Sequence, residues 1–250
     1  MPLLTNKTAL VVGASRGIGL AIARELAHSG ARTILAARSM NVLEREAQAL
    51  RASGLQAVPL QIDTAHPNAT TQLPDVDILV NVSGTNVRKA FTDYTPEEYD
   101  NIFQTNLHGI VNVTRRVGER MIARNRGGKI IFIGSLMSIL GLPYLTVYSM
   151  TKSALAGLTR SLAAEWAKHN IQVNCIAPGF ILTDLNRDMW QAAEMKQWLE
   201  SVQPNPRMGT PADLAPLAVF LSSAGSDYIT GQVIAVDGGY STGAIWPFQP

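Results

Sequence analysis

Residues 8–19, TALVVGASRGIG, join a short apolar run to a glycine-rich turn and the first residues of a helix. The run shows no polar alternation, as expected of a strand buried on both faces of a parallel sheet. The helix predicted after it, ending at Gly30, sets Ile18, Ala21, Ile22 and Leu26 on one inner face. The same alternation repeats outward. RTILAAR (32–38) reads as a strand, NVLEREAQALRASG (41–54) as a helix with a polar outer face and a glycine cap, and QAVPLQID (56–63) as a third strand.

This β-α-β-α-β order predicts an α/β protein: one doubly wound Rossmann domain over 1–250, with a seven-stranded parallel sheet and helices on both faces. Only seventeen residues separate Asp63 from Asn81, and HPNATTQLP (66–74) has two prolines, so a crossover helix there is very short or absent. DVDILVNVSG (75–84) gives the fourth strand. The long helix after it has Thr95 as N-cap, Pro96 at its first position and acidic residues in its first turn, with an interruption near Gly109. KIIFIGS (129–135), IQVNCIAPG (171–179) and GQVIAVDGG (231–239) are the remaining strands. A helix spans about 146–169, a helical lid about 182–209, and a further helix TPADLAPLAVFLSS (210–223).

Bulk properties narrow the function. The chain has 250 residues, is 46% hydrophobic and carries a net charge of only +2, with no run of basic residues, which excludes nucleic acid as an expected partner. No apolar run of membrane-spanning length occurs, and the N-terminus lacks the pattern of a signal peptide. The single cysteine, Cys175, has no internal partner and lies in an apolar run, which suits a buried thiol in a reducing cytoplasm. No metal site is expected.

Gly13, Gly17 and Gly19 follow a strand and open a helix, where backbone amides can approach a diphosphate. The spacing is G-x-x-x-G-x-G rather than G-x-G-x-x-G. At the end of the second strand an acid would bind ribose hydroxyls, but the chain has Ala37 and Arg38, with Arg16 inside the glycine turn. Two guanidinium groups and no carboxylate suit a 2′-phosphate, hence NADP(H). Tyr148 and Lys152 stand four residues apart on one helix face, and Ser135 ends an apolar strand thirteen residues earlier. On spacing alone such a pair is commonly a packed aromatic and a solvated charge. A phenol, an ammonium and a hydroxyl brought together suit proton transfer to an oxygen, since a nearby positive charge favours tyrosinate.

With these pieces placed, the chain resembles the short-chain dehydrogenase/reductase family over nearly its whole length. VGASRGIG, with Ser15 and Ile18, looks like that family's cofactor loop, and NVSG at 81–84 stands where the family has Asn-Asn-Ala-Gly. The resemblance implies a catalytic set of Asn106, Ser135, Tyr148 and Lys152. Tyr148 would be the general acid and base, Ser135 would hold the substrate oxygen, Lys152 would hold the nicotinamide ribose and depress the Tyr148 pKa, and Asn106 would support a proton-conducting water. It further implies cofactor contacts from Asp63, Asn81, Gly84, Pro178, Gly179 and Thr183, and a homotetramer built on the two long helices. Altered support of the central sheet is expected from Val82 and Ser83, and catalysis should survive the short 66–74 segment. AEWAKHNIQVNCIAPGFILTDL and VRKAFTDYTPEEYD are most similar to the gluconate 5-dehydrogenase type, and 3-oxoacyl-carrier-protein reductases share the overall pattern.

On the substrate side, Arg88, with Lys89 second, either pairs with a substrate carboxylate or is part of a surface basic pair. Met137, Ile139, Leu140, Leu142 and Tyr144 are expected to wall the pocket. Trp190, with Met189, Met195 and Trp198, either floors an apolar pocket or packs the lid. Trp246 and Phe248 in the tail either close a neighbouring subunit's site or pack an interface. A sugar acid or polyol and a 3-oxoacyl thioester both remain as substrates, and a non-catalytic dinucleotide sensor is the reading from another class.

Overall fold

The structure, a computed structural model, describes residues 2–66, 70–71, 73–184, 186–243 and 245. Seven parallel strands form its single sheet: β1 (Thr8–Val12), β2 (Arg32–Ala37), β3 (Ala57–Gln61), β4 (Ile78–Asn81), β5 (Gly128–Ile133), β6 (Ile171–Pro178) and β7 (Val233–Val236). Their order is β3-β2-β1-β4-β5-β6-β7, the doubly wound topology expected from the sequence. Winding reverses between β1 and β4, where Val12 pairs with Asn81, and a ligand cleft opens outside the carboxyl ends of strands at such a reversal.

Alternation along the strands divides the core. On one face Ala9 and Val11 of β1 pack with Leu35 and Ile131 against α1 (Gly17–His28), α2 (Met40–Ala52) and α8 (Pro211–Ser222), through Ile22, Leu26, Leu43 and Leu214. On the other, Leu10 and Val12 pack with Phe132 and Val173 against α4 (Gly109–Arg124) and α5 (Thr146–Trp166), through Val113, Val117, Met121 and Leu155. Both faces are thus covered, which is why β1 and β5 read as unbroken apolar runs.

The helix over 95–124 starts as the sequence predicts. In α3 (Pro96–Phe103) the Thr95 hydroxyl accepts a hydrogen bond from the Glu98 N–H while the Glu98 carboxylate accepts one from the Thr95 N–H, a full capping box. The expected interruption is a π-helical turn over Gln104–His108, directly before Gly109. Gly109 has no room for a side chain, since a Cβ there would lie 2.8 Å from the Thr64 carbonyl oxygen.

Among the described residues no α-helix joins β3 to β4. Two arginines of α4 hold this connection instead. Arg120 meets the Asp75 carboxylate at 2.6 Å and the Leu73 carbonyl at 2.8 Å, and Arg124 donates to the Val76 carbonyl. The lid consists of α6 (Arg187–Gln191) and α7 (Ala193–Val202), closed at its base by a parallel bridge between Ile181 and Gly209.

Candidate active site

Strand β5 delivers Ser135 to the cleft and α5 delivers Tyr148 and Lys152. Ser135 is extended and caps the short turn Leu136–Ser138, its Oγ accepting the Met137 N–H at 3.2 Å. Ser138 closes that turn and fastens it to α5: its Oγ accepts the Ser135 N–H and donates to the Lys152 carbonyl at 2.9 Å. Ser153 adds a bond to the Met137 carbonyl at 3.1 Å. The distance between strand end and helix is therefore set by three hydroxyls. Sequence reasoning singled out only Ser135; the other two announce themselves only as small polar residues in an apolar setting.

The Tyr148 phenol is hydrogen-bonded to Ser135. Burial raises its pKa above the ordinary value, opposed by the Ser135 bond and by the Arg88 charge. Lys152 is 3% exposed, donates to the Ile133 carbonyl at 2.9 Å and lies 5.6 Å from the Tyr148 ring centroid. Burial lowers its pKa to about 8. Lys152 was expected to pull the phenol down; here its ammonium is aimed at a carbonyl beneath the ring, and the downward pull comes from Ser135 and Arg88.

Asn106 stands in the π-helical turn, fully buried. Its Oδ1 accepts the Thr85 N–H at 2.7 Å, and its Nδ2 donates to the Thr85 carbonyl at 2.8 Å and to Thr151 Oγ1 at 3.3 Å. Thr151 in turn donates to the Tyr148 carbonyl at 2.7 Å. Asn106 thus ties the loop after β4 to the turn of α5 that carries Tyr148. Both its amide hydrogens are engaged, which leaves a lone pair on Oδ1 for water. A Cβ on Gly84 would lie 3.6 Å from the Lys152 Nζ and 3.7 Å from Asn106 Oδ1, so glycine keeps the space over both open.

At the other end of the cleft, Gly13 is left-handed at φ +91 and a Cβ there would stand 2.9 Å from the Ser83 amide nitrogen. A side chain on Gly19 would overlap the Gly13 carbonyl. Between them Ser15, Arg16, Gly17 and Ile18 lead into α1, whose N-terminus has no side-chain cap. Uncapped first-turn amides suit a diphosphate. Arg16 and Arg38 are exposed, without an ion-pair partner among the described residues. Asp63 follows β3, accepting the Ala65 N–H at 3.1 Å and lying 3.8 Å from His66. Asn81 is buried at the end of β4; its Nδ2 donates to Thr114 at 3.1 Å and its Oδ1 has no partner among the described residues. Pro178 ends β6, and the Gly179 N–H donates to the Val236 carbonyl at 3.0 Å. The Thr183 methyl would lie 3.6 Å from a Cβ on Gly17, which brings the segment after β6 over the glycine turn. A cradle that glycine alone can line, an uncapped helix start and two unpaired guanidinium groups fit a dinucleotide carrying an extra phosphate.

The substrate side separates neighbours. Arg88 is exposed and acts on the Tyr148 phenol. Lys89 is held by Glu98 at 2.7 Å, with the Tyr94 ring centroid 5.8 Å away, so it is not a free cation for substrate. Leu142 is half-buried, and Ile139, Leu140 and Tyr144 are exposed at 47%, 39% and 62%. Met137 corrects the expected wall: it lies within the Leu136–Ser138 turn with its side chain buried, and offers the cleft almost no surface. Trp190 is also buried, in an aromatic cluster where Phe180 meets Trp190, Trp198 and Tyr240 edge-on at 5.4, 5.3 and 4.9 Å, so it packs the lid rather than flooring a pocket. Trp246 and Phe248 lie outside the described residues. Among the described residues no group of His, Cys, Asp or Glu could hold a metal ion, and no helix is long and apolar enough to cross a membrane.

Comparison with known proteins agrees with this geometry. A family model described as enoyl-(acyl carrier protein) reductase matches residues 13–241. Gluconate 5-dehydrogenase of Gluconobacter oxydans is 35% identical over 244 residues, covering 94% of this chain and 95% of the relative. The 3-oxoacyl-[acyl-carrier-protein] reductase of Chlamydia trachomatis is 37% identical, covering 95% and 98%. A crystal structure of gluconate 5-dehydrogenase from Burkholderia cenocepacia, in complex with NADP and tartrate, superposes with a TM-score of 0.92 at 35% identity, covering 96% and 97%. The chain belongs to the short-chain dehydrogenase/reductase family.

Proposed function

We propose that the protein interconverts a ketone and a secondary alcohol, with NADP(H) as the redox partner and Tyr148 as the general acid and base. The observation that carries this is the Tyr148 phenol: half-buried, hydrogen-bonded to Ser135, with the Lys152 ammonium 5.6 Å from its ring centroid. When bound, NADP(H) supplies or takes the hydride. The protein does the rest. Ser135 donates its hydroxyl hydrogen to the substrate oxygen, a one-donor counterpart of an oxyanion hole. Tyr148 gives its proton to that oxygen in reduction, for which a raised pKa keeps the phenol loaded at neutral pH, and takes the proton back in oxidation, for which the Arg88 charge and the Ser135 bond favour the anion. Lys152 is still an ammonium at neutral pH and holds the nicotinamide ribose. Asn106 supports the water that relays protons to solvent. Arg16 and Arg38 hold the 2′-phosphate, and Ala37 stands at the end of β2 where an acid would favour NAD.

For substrate we propose a sugar acid or polyol, with Arg88 taking a carboxylate. Arg88 is the cation beside Tyr148 that Glu98 leaves free, and relatives include 5-keto-D-gluconate 5-reductase of Escherichia coli at 34% identity. The exposed side chains of Ile139, Leu140 and Tyr144 favour a second reading, a 3-oxoacyl thioester. NADPH oxidation with 5-ketogluconate and with an acetoacetyl thioester separates the two. Arg88→Ala should lower kcat/KM for the keto acid by about ten- to a hundredfold and for the thioester far less, the part lost through Tyr148 being common to both. Equal losses on both would sink the carboxylate role. NADPH binding without turnover of any ketone would sink the enzyme reading and leave a dinucleotide sensor. We further propose a cytoplasmic homotetramer through α4 and α5; a scattering mass of one 27.0 kDa chain would remove the assembly.

A further inference from the structure

Arg88 owes its place to the peptide groups on either side of it. The direction in which a residue projects is set by the two peptide planes that flank it, and in the loop after β4 both planes beside Arg88 are held. Ahead of it, the Val87 carbonyl accepts a hydrogen bond from the Tyr94 hydroxyl. Behind it, the Lys89 N–H donates to the Tyr144 carbonyl at 3.2 Å, in the loop after β5. The second bond joins backbone to backbone and does not depend on which side chains stand there. The first is made by one side chain, returned from seven residues further on. The Arg88 guanidinium is exposed and meets no carboxylate among the described residues, whereas Glu98 takes the neighbouring Lys89.

Tyr94 is itself fixed. It is half-buried and directly precedes Thr95, whose capping box with Glu98 sets the start of α3. The turn over Phe91–Asp93 closes through the Asp93 N–H on the Ala90 carbonyl at 3.0 Å, and the Lys89 ammonium donates to the Asp93 carbonyl at 3.2 Å. Burial and the Glu98 charge raise the Tyr94 pKa, so the phenol keeps the hydrogen that it gives to Val87. A long cation on a free loop loses much of its affinity when a ligand freezes it. With both flanking planes held, only the side-chain torsions of Arg88 remain to be frozen. We propose that Tyr94 is a positioning residue that sets substrate choice by aiming Arg88 at the carboxylate of a keto acid, an inference that rests on the carboxylate reading above.

Steady-state kinetics of the full chain with NADPH, comparing 5-ketogluconate with its uncharged carboxamide, test this. The unmodified protein should prefer the acid. Tyr94→Phe should shrink that preference about fivefold, through KM for the acid and with kcat nearly unchanged. In the Arg88→Ala background the same substitution should change kcat/KM for neither substrate further. Unchanged NADPH binding shows that Tyr94→Phe is folded. An undiminished preference in Tyr94→Phe, or a further loss on the acid in the Arg88→Ala background, would overturn the assignment and leave the carboxylate reading standing. No preference for the acid in the unmodified protein would remove that reading, and this proposal with it.

Discussion

The floor of the cleft and its rim are built on different terms. On the floor every functional side chain has its partners fixed by the protein: Ser135 by Met137 and Ser138, Asn106 by Thr85 and Thr151, Lys152 by Ile133. On the rim, Arg88, Ile139, Leu140 and Tyr144 face solvent. Buried hydrogen-bonded groups lose heavily when one partner is removed, whereas exposed groups lose little except toward a ligand. The chemistry is therefore rigidly specified, while the choice of substrate rests on a few side chains in water.

The largest effect expected is on the floor. Tyr148→Phe removes the proton donor and should lower kcat by about a thousandfold or more while NADPH still binds; near-normal turnover in single-substrate assays would break the contrast at its centre. Lys152→Met should also abolish most turnover but raise stability. The Lys152 pKa is about 8 when folded, below its ordinary 10.5, so below pH 8 the native state holds a charge that burial disfavours. The unfolded chain then retains that proton as pH climbs, and wild-type stability should rise between about pH 8 and pH 10. The methionine variant should gain about 2 kcal/mol at pH 7, allowing for the lost bond to Ile133, and should lack that rise. A denaturant midpoint lower than wild type at pH 7 would show that the ammonium stabilises the floor instead.

Smaller effects belong to exposed groups. Ala37→Asp combined with Arg38→Leu should shift the NADP/NAD ratio of kcat/KM toward NAD by about a hundredfold, and an unchanged ratio would remove the 2′-phosphate role. Least of all, Lys89→Ala should change kcat/KM for any substrate by less than about threefold, because Glu98 already holds that ammonium. A loss matching that of Arg88→Ala would erase the distinction between these neighbours.

Lys89 and Arg88 also show what the sequence discloses and what it does not. The strands and the doubly wound topology follow from apolar runs and glycine turns, because burial on two faces leaves its mark on every residue of the central strands. Half-buried β3 and β7 at the edges are marked by their flanking turns. Ser135, Tyr148 and Lys152 are legible because their chemistry and spacing are unusual together. Which of two adjacent cations is free depends on Glu98, nine residues further on and brought back by a loop, and no local pattern encodes that return. Met137 and Trp190 have the composition of a pocket wall, and only packing shows that they face inward. The Arg120 and Arg124 contacts that replace a crossover helix are likewise invisible in a chain where arginine usually means surface.

The π-helical turn has a consequence for insertions and deletions. Such a turn holds one residue more than an α-turn, so α3 and α4 keep the same phase toward the sheet with or without it. Removing a single residue between Gln104 and His108 would let the backbone close into one continuous α-helix, its apolar faces still in place. Asn106 would then swing away from Thr85 and Thr151. A change of one codon triplet at this point would spare folding and disable the site, so natural drift in the length of this helix is constrained by the asparagine and not by the core.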